Sequence, residues 1–358
     1  MGTKRKPTLD DIARIAGVSK TAVSMILSEK KGVSFLEETV ERVHEAAKEL
    51  GYVKKEQKSQ DISIFNKHTL LVLTPSVSSS AYTTLIQSIE QEADLQGIRV
   101  IVQTTYRDKE REREYLTQIK DTNLYGIISI LNPYNIELLE EINQSIPVVV
   151  INDKFNGYQL DTVEIDNYSA GVLIARHMIE LGHKNVAYLS TTLDSQNSAR
   201  IRRLEGITAT YEELCPEGRI LVRSRNITPA EELANIRIEH KVGYELALEV
   251  LKHKDITGII AVNDMVAYGV MDALEERNFS IPEDYSLCGF DNLFPSKFKK
   301  ISLTTVEHFI VNKGQNAVDM IIRRHSTSSR VHSSTKVLFK HELIIRNSTG
   351  APRTKPSG

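Results

Sequence analysis

Residues 8–27 read Thr8-Leu-Asp-Asp-Ile-Ala-Arg-Ile-Ala-Gly-Val-Ser-Lys-Thr-Ala-Val-Ser-Met-Ile-Leu27. Thr8 followed three residues later by Asp11 has the form of a capping box, with Asp in place of the usual Glu. Ile12, Ala13 and Ala16 then fall on one helical face. Gly17-Val18-Ser19 interrupts the pattern: glycine ends a helix, and Ser19 is suited to cap the next. Val23, Ile26 and Leu27 give that second helix its apolar face. A third pattern runs from Glu37 to Leu50, with Val40, Val43, Ala47 and Leu50 at helical spacing and Gly51 as the stop. Two short helices joined by a glycine-containing turn predict a helix-turn-helix.

The second helix of such a unit brings small or polar side chains to base edges. Lys20, Thr21, Ala22 and Met25 occupy those positions. Lys20 has the chemistry to donate to guanine O6/N7, and Thr21 and Ala22 to touch thymine methyls. Ser19 and Ser24 suit phosphate oxygens, and Thr8 joins the same expected DNA-contacting set. Net charge is only −2, but residues 1–31 carry seven Lys/Arg against three acids, and residues 1–60 carry twelve against nine. The remainder holds 33 against 38, so a basic head precedes an acidic body. A solubilising arm accounts for that charge as well as a polyanion partner does. A protein-binding three-helix bundle fits the pattern alone; spacing, capping and charge together favour DNA.

With 358 residues, 41% apolar and 26% charged, the chain has room for two or three folded domains. No apolar run reaches the ~18 residues of a membrane helix. The basic N-terminus has no apolar segment behind it, so the cytoplasm is expected. Cys215 and Cys288 are the only cysteines. Two lone cysteines make neither a zinc site nor a disulfide framework, and both read as packing residues.

Residues 53–68 are mostly polar and read as a linker. From Thr69, β-branched runs alternate with amphipathic stretches: 69–74, 98–103, 125–131 and 147–151, then 185–190, 257–262 and 285–289. The alternation predicts an α/β fold of two doubly wound, parallel-sheet lobes behind an all-α head. Such lobes bind ligands at the carboxyl ends of their strands. The expected organisation is a head at 1–53, a linker at 54–68, a core at 69–349 and a tail at 350–358. The first lobe would take about 69–161 and 292–305, the second about 166–289 and 306–345; residues 325–335 read as a loop.

The stretch 8–27, with Glu38-Thr-Val-Glu-Arg-Val43 and Ala46-Ala-Lys-Glu-Leu-Gly-Tyr52, resembles the lactose-repressor/galactose-repressor family. The likeness continues through Asp166-Asn167, Gly171, Leu181-Gly-His183, Arg203-Leu-Glu-Gly206, Asn263-Asp264, Gly289-Phe-Asp-Asn292, Leu303-Thr-Thr-Val306 and Glu342-Leu-Ile-Ile-Arg-Asn-Ser-Thr349, all in family order. It implies a periplasmic-binding-protein type of core and a homodimeric transcription regulator, most often a repressor, bound to operator DNA. It also implies a small effector between the two core lobes. The head departs from the family at Met25, where arginine is usual, and at Leu36, where a capping serine is usual. The family's linker wedges a leucine into the minor groove; here Ile62 or Ile64 would have to replace it, beside Asp61.

Positions matching the family's pocket are Ser76, Asn152, Arg203, Asn263 and Asp291, with Phe290 ahead of Asp291 at a crossover between lobes. Asp, Asn and Arg each satisfy two neighbouring hydroxyls at once, as sugar pockets require. Asn263 and Asp291 equally suit helix caps, and Arg203 a surface ion pair. Tyr82 reads as core or rim. The aromatic that often stacks on the ligand aligns near Ile227, which favours a hydroxyl-rich sugar or sugar derivative over a purine. The insertion around Pro229–Ile238 would reshape that wall. There is no Walker loop, Gly-x-Gly-x-x-Gly, His-Glu-x-x-His or Gly-x-Ser-x-Gly, so neither an enzyme nor a bound cofactor or metal is expected. His177 and His183 read as structural or surface residues. A sugar-transport protein would share the core but lacks a reason for the head.

Overall fold

The computed structural model describes residues 7–27, 35–52, 65–130, 132–153, 159–194, 198–326 and 333–354, and only the backbone of Asn152, Asp153 and Ser198. It divides into two compact units, with the boundary between Ile64 and Phe65.

The first unit holds α1 (Leu9–Ala16), α2 (Lys20–Leu27) and α3 (Glu37–Glu49). The Asp11 carboxylate accepts from Thr8 N at 2.9 Å and Thr8 Oγ1 at 2.7 Å, which fixes the start of α1. Gly17 ends it in the left-handed region at φ 65°, where a Cβ would be strained. Ser19 Oγ accepts from Ala22 N at 3.1 Å and opens α2. Ile12, Ala16, Val23, Ile26, Val43 and Ala47 close one small core, on the faces that periodicity predicts. Leu36 stands at the N-cap of α3, makes no side-chain cap bond and is 79% exposed.

The second unit contains two wound lobes. The first comprises β1 (Thr69–Thr74), α4 (Ser80–Asp94), β2 (Arg99–Thr104), α5 (Lys109–Ile119), β3 (Gly126–Ile130), α6 (Ile136–Ile142), β4 (Val148–Asp153) and β5 (Asp161–Ile165). The chain then crosses into α7 (Asn167–Glu180), β6 (Asn185–Ser190), α8 (Ser198–Leu214), β7 (Arg219–Ser224), α9 (Pro229–Ala234), α10 (Ile238–Val250), β8 (Gly258–Ala261), α11 (Asp264–Glu276), β9 (Ser286–Asp291) and β10 (Thr304–Glu307). It returns to the first lobe for α12 (Ile310–Ser326) and β11 (Lys336–Phe339), and ends in the second with β12 (Glu342–Ile344). The sheets run β11-β5-β4-β3-β1-β2 and β12-β10-β9-β8-β6-β7. Among the described strands only the β10–β12 pair is antiparallel. Central strands such as β1 and β3 are buried along their whole length, as helix-covered parallel sheets require. In both lobes the strand order reverses beside the first strand, which leaves a crevice at the carboxyl ends.

Several expectations change. β10 pairs with β9 in the second sheet, Thr304 opposite Cys288 and Val306 opposite Phe290, so residues 304–305 do not join the first lobe. Conversely, α12 and β11 belong to the first lobe: Ala317, Val318 and Ile321 of α12 cover its sheet, and β11 pairs with β5. Asp291 is therefore not at a crossover; the chain changes lobes at 165–167, 307–310 and 339–342. Phe65 packs on the first-lobe core and Asn66 Oδ1 accepts from His68 N, so these linker residues belong to the core unit. The tail is docked as far as Arg353, whose guanidinium lies 4.2 Å over the Tyr285 ring and donates to Asp284 O. Residues 325–326 complete α12, and 327–332 of the expected loop lie outside the described residues. Ile62 and Ile64 also lie outside them.

One close approach positions the site. A Cβ on Gly171 of α7 would strike Arg203 O of α8, and one on Gly206 would strike Tyr168 O. The two glycines let α7 and α8 touch backbone to backbone, and so carry Arg203 to the lobe interface.

Candidate effector cleft and DNA-reading helix

A cleft of about 950 Å³, counting its open mouth, separates the lobes. Arg203, Asn263 and Asp291 line it together. Ser76 and Phe290 do not. Ser76 is 2% exposed and folds back on its own turn, accepting from Ser78 N at 3.0 Å. Phe290 is wholly buried because it points into the second-lobe core, where its ring lies 4.6 Å beneath the Arg203 guanidinium. The Asn152 side chain lies outside the described residues.

Arg203 comes from the second turn of α8 and is 7% exposed. Nε donates to Asn167 Oδ1 at 2.8 Å and Nη1 to Val262 O, so its plane is fixed before any ligand arrives. Asn263 caps α11, its Oδ1 accepting from Val266 N at 2.9 Å, and still faces the cleft. Asp291 ends β9 with φ 121° and is followed by Asn292 at φ 51°; two non-glycine residues with positive φ store strain at this edge. Asp264 holds the turn behind them. Its buried carboxylate accepts from Leu293 N, Ser296 Oγ and Thr305 Oγ1 at 2.9, 2.6 and 2.6 Å. Burial pushes that carboxyl up to about 6.

Further groups face the cleft that sequence reasoning passed over: Arg107, Asn167, Arg200, Glu239, His308 and Lys313. Arg107 follows β2 and reaches across the lobes to Glu232 on α9, with both carboxylate oxygens at 2.8 and 2.9 Å. Its Nη2 also donates to Tyr82 OH at 3.0 Å, and Tyr82 itself lines the cleft. The insertion at 229–238 thus supplies an interlobe latch. Arg200 Nη2 lies 3.9 Å from Glu239 Oε1. His308 Nδ1 lies 3.4 Å from Asp291 Oδ1. Burial drives His308 well below the ordinary imidazole value, and the Arg203 cation adds to the effect. Burial raises Asp291 well above the carboxylate range, against the pull of Arg203. A carboxyl beside an imidazole offers both donors and acceptors to hydroxyls.

Among the described residues no three His, Cys, Asp or Glu converge as metal ligands. Both cysteines are buried, and burial raises the Cys288 thiol. His183 is held between Thr257 Oγ1 at 2.8 Å and Ser286 Oγ at 2.9 Å, and His177 meets Thr349 Oγ1 at 2.9 Å; both tie the second lobe together. No helix among the described residues is long and apolar enough to cross a membrane.

On the head, Lys20, Thr21 and Ser24 are exposed on α2, Ala22 and Met25 half-buried, and Val23 and Ile26 buried. Lys20 Nζ rests on Asp10 Oδ2 at 2.7 Å, an exposed pair that a phosphate or base readily displaces. Ser19 and Thr8 are engaged in capping.

Residues 8–55 match the bacterial regulatory proteins of the lacI family, and residues 67–342 match the periplasmic binding proteins and sugar binding domain of the LacI family. The regulator DegA of Bacillus subtilis is 28% identical, covering 98% of this chain and 100% of its own. The repressor PurR of Haemophilus influenzae is 26% identical over 95% of this chain and 98% of its own. A LacI family transcriptional regulator from Enterococcus faecalis, solved with bound ribose, is 27% identical with a TM-score of 0.65, covering 79% of this chain and 99% of that one. Head and core are matched separately and in the right order, and on that footing the chain belongs to the lacI family of bacterial regulatory proteins.

Proposed function

We propose that this chain represses transcription as a homodimer bound to a near-palindromic operator, and that a hydroxyl-bearing effector in the core cleft controls that binding. The observation that carries the reading is the convergence of Arg203, Asn263 and Asp291 on one interlobe cleft, behind a lacI-type head. The three offer planar, paired donors and acceptors to adjacent hydroxyls. The ribose held by the Enterococcus faecalis regulator is the kind of molecule such groups suit. Residues 7–52 read the DNA, with Lys20, Thr21 and Ala22 toward the major groove and Ser24 and Ser19 toward phosphates. Two heads on two half-sites give the palindrome. Operator DNA as partner places this work in the cytoplasm. On this reading the occupant of the cleft is a signal and not a substrate. Selection from random duplexes tests the head: an enriched palindrome supports the reading, and its absence overturns it. A melting-temperature screen of sugars tests the cleft, because a ligand specific to the folded state raises its stability.

A further inference from the structure

We infer that the effector of this cleft is an anion, a sugar or polyol carrying a carboxylate or phosphate, and that Lys313 receives the anionic group. The inference rests on the effector reading above and narrows its chemistry. Lys313 lies in the first turn of α12 and lines the cleft at 4% exposure. Its ammonium makes no hydrogen bond or ion pair among the described residues. A charge so buried is costly unless paired. Glu232 is engaged with Arg107 and Glu239 lies near Arg200, while Asp291, 3.4 Å from His308 Nδ1, makes no ion pair with Lys313. Arg203 adds a second buried cation, and its hydrogen-bond partners are a neutral amide, a carbonyl and, at 3.5 Å, the His308 ring.

The backbone points the same way. The positive end of a helix dipole disfavours a cation and favours an anion. α12 nevertheless has no acid in its first turn and carries Lys313 there instead. The starts of α8 and α11, at Arg200 and Asn263, face the same cleft. A lysine without a protein partner at that place costs stability. An arriving anion would offset that cost. Arg203, Asn263 and Asp291 remain for the hydroxyls, so one ligand uses both sets of groups.

The test uses the full chain, wild type, Lys313→Met and Lys313→Arg, in isothermal titration with three arms. Glucuronate, galacturonate and gluconate form the carboxylate arm. Glucose 6-phosphate and ribose 5-phosphate form the phosphate arm. Glucose, galactose and ribose are the neutral arm. The inference expects at least one acid to bind ten- to hundredfold more tightly than its neutral parent, the range of about 1.5–3 kcal/mol that a charged hydrogen bond contributes. Lys313→Met should erase that preference and Lys313→Arg keep most of it. The arm that responds tells carboxylate from phosphate. A neutral sugar that binds as well as its acid, or an acid preference that survives in Lys313→Met, overturns the inference and leaves the effector reading standing. Silence in all three arms counts against both.

Discussion

Replacing Lys313 by methionine isolates the electrostatic strain of the empty cleft. Methionine keeps the length and apolar stem of lysine and removes the charge. Burial brings the Lys313 ammonium from 10.5 down to about 7; Asp291 and Glu307 oppose that fall and Arg203 adds to it. Tyr82, Arg107, Arg200, Glu239, His308 and His341 are further charged or titratable groups around the cleft, both imidazoles held low chiefly by burial. A shift of about 3.5 units, at roughly 1.4 kcal/mol each, amounts to about 5 kcal/mol. The unfolded chain keeps this proton up to about pH 10.5, and the folded chain releases it near 7. The penalty is therefore complete below pH 7 and fades as pH rises toward 10.5. Asp291 ionises in the same cluster and takes up part of it, so Lys313→Met should exceed wild type by about 3–5 kcal/mol near pH 6. By about pH 10 the gap should fall to about 1–2 kcal/mol. The chain has no tryptophan, so urea unfolding is followed by circular dichroism. A variant no more stable than wild type near pH 6, or a gap indifferent to pH, would refute the claim that this lysine is buried without a partner.

Other expectations are simpler. Lys20→Ala should weaken operator binding by about 1–3 kcal/mol and blur one symmetric base position, read by competition between operator variants. Glu232→Gln removes the charge from the latch to Arg107 and should weaken effector binding by roughly tenfold, in calorimetry, because the closed cleft loses a charge-assisted pair. Substituting Ile62 and Ile64 by alanine should cost less than about 2 kcal/mol of operator affinity, since the linker lacks the family's leucine wedge; a larger loss in a binding isotherm means that isoleucine serves as the wedge.

The strongly patterned parts of this chain could be read without coordinates. The head's three helices follow from capping and spacing, and β1, β3, β6 and β8 from short β-branched runs. β7, with exposed Arg219 and Val222 on an edge, lacked the apolar run that marks a buried strand. β10, β11 and β12 have three or four residues each and gave no period to count. Their placement decides which lobe each crossover serves, so the lobe boundaries were misread with them. Arg203, Asn263 and Asp291, which line the cleft together, sit in recognisable sequence motifs. Phe290 does not line the cleft because alternation along β9 sends it inward, away from Asp291. Lys313 had a signal that was missed: it stands on the apolar stripe of α12 formed by Ile310, Ala317 and Ile321, where a solvated lysine has no place. Arg107 had none, since its partner Glu232 is 125 residues away.

The account stands or falls on coupling between the cleft and the operator. Fluorescence anisotropy of the selected operator duplex, titrated with protein with and without saturating effector, measures it directly. The wild type should change operator affinity by at least about fivefold on adding effector. In Asp291→Ala the two isotherms should coincide. An Asp291→Ala protein that responds as fully as the wild type, or a wild type whose isotherms coincide when the cleft is filled, would contradict the account.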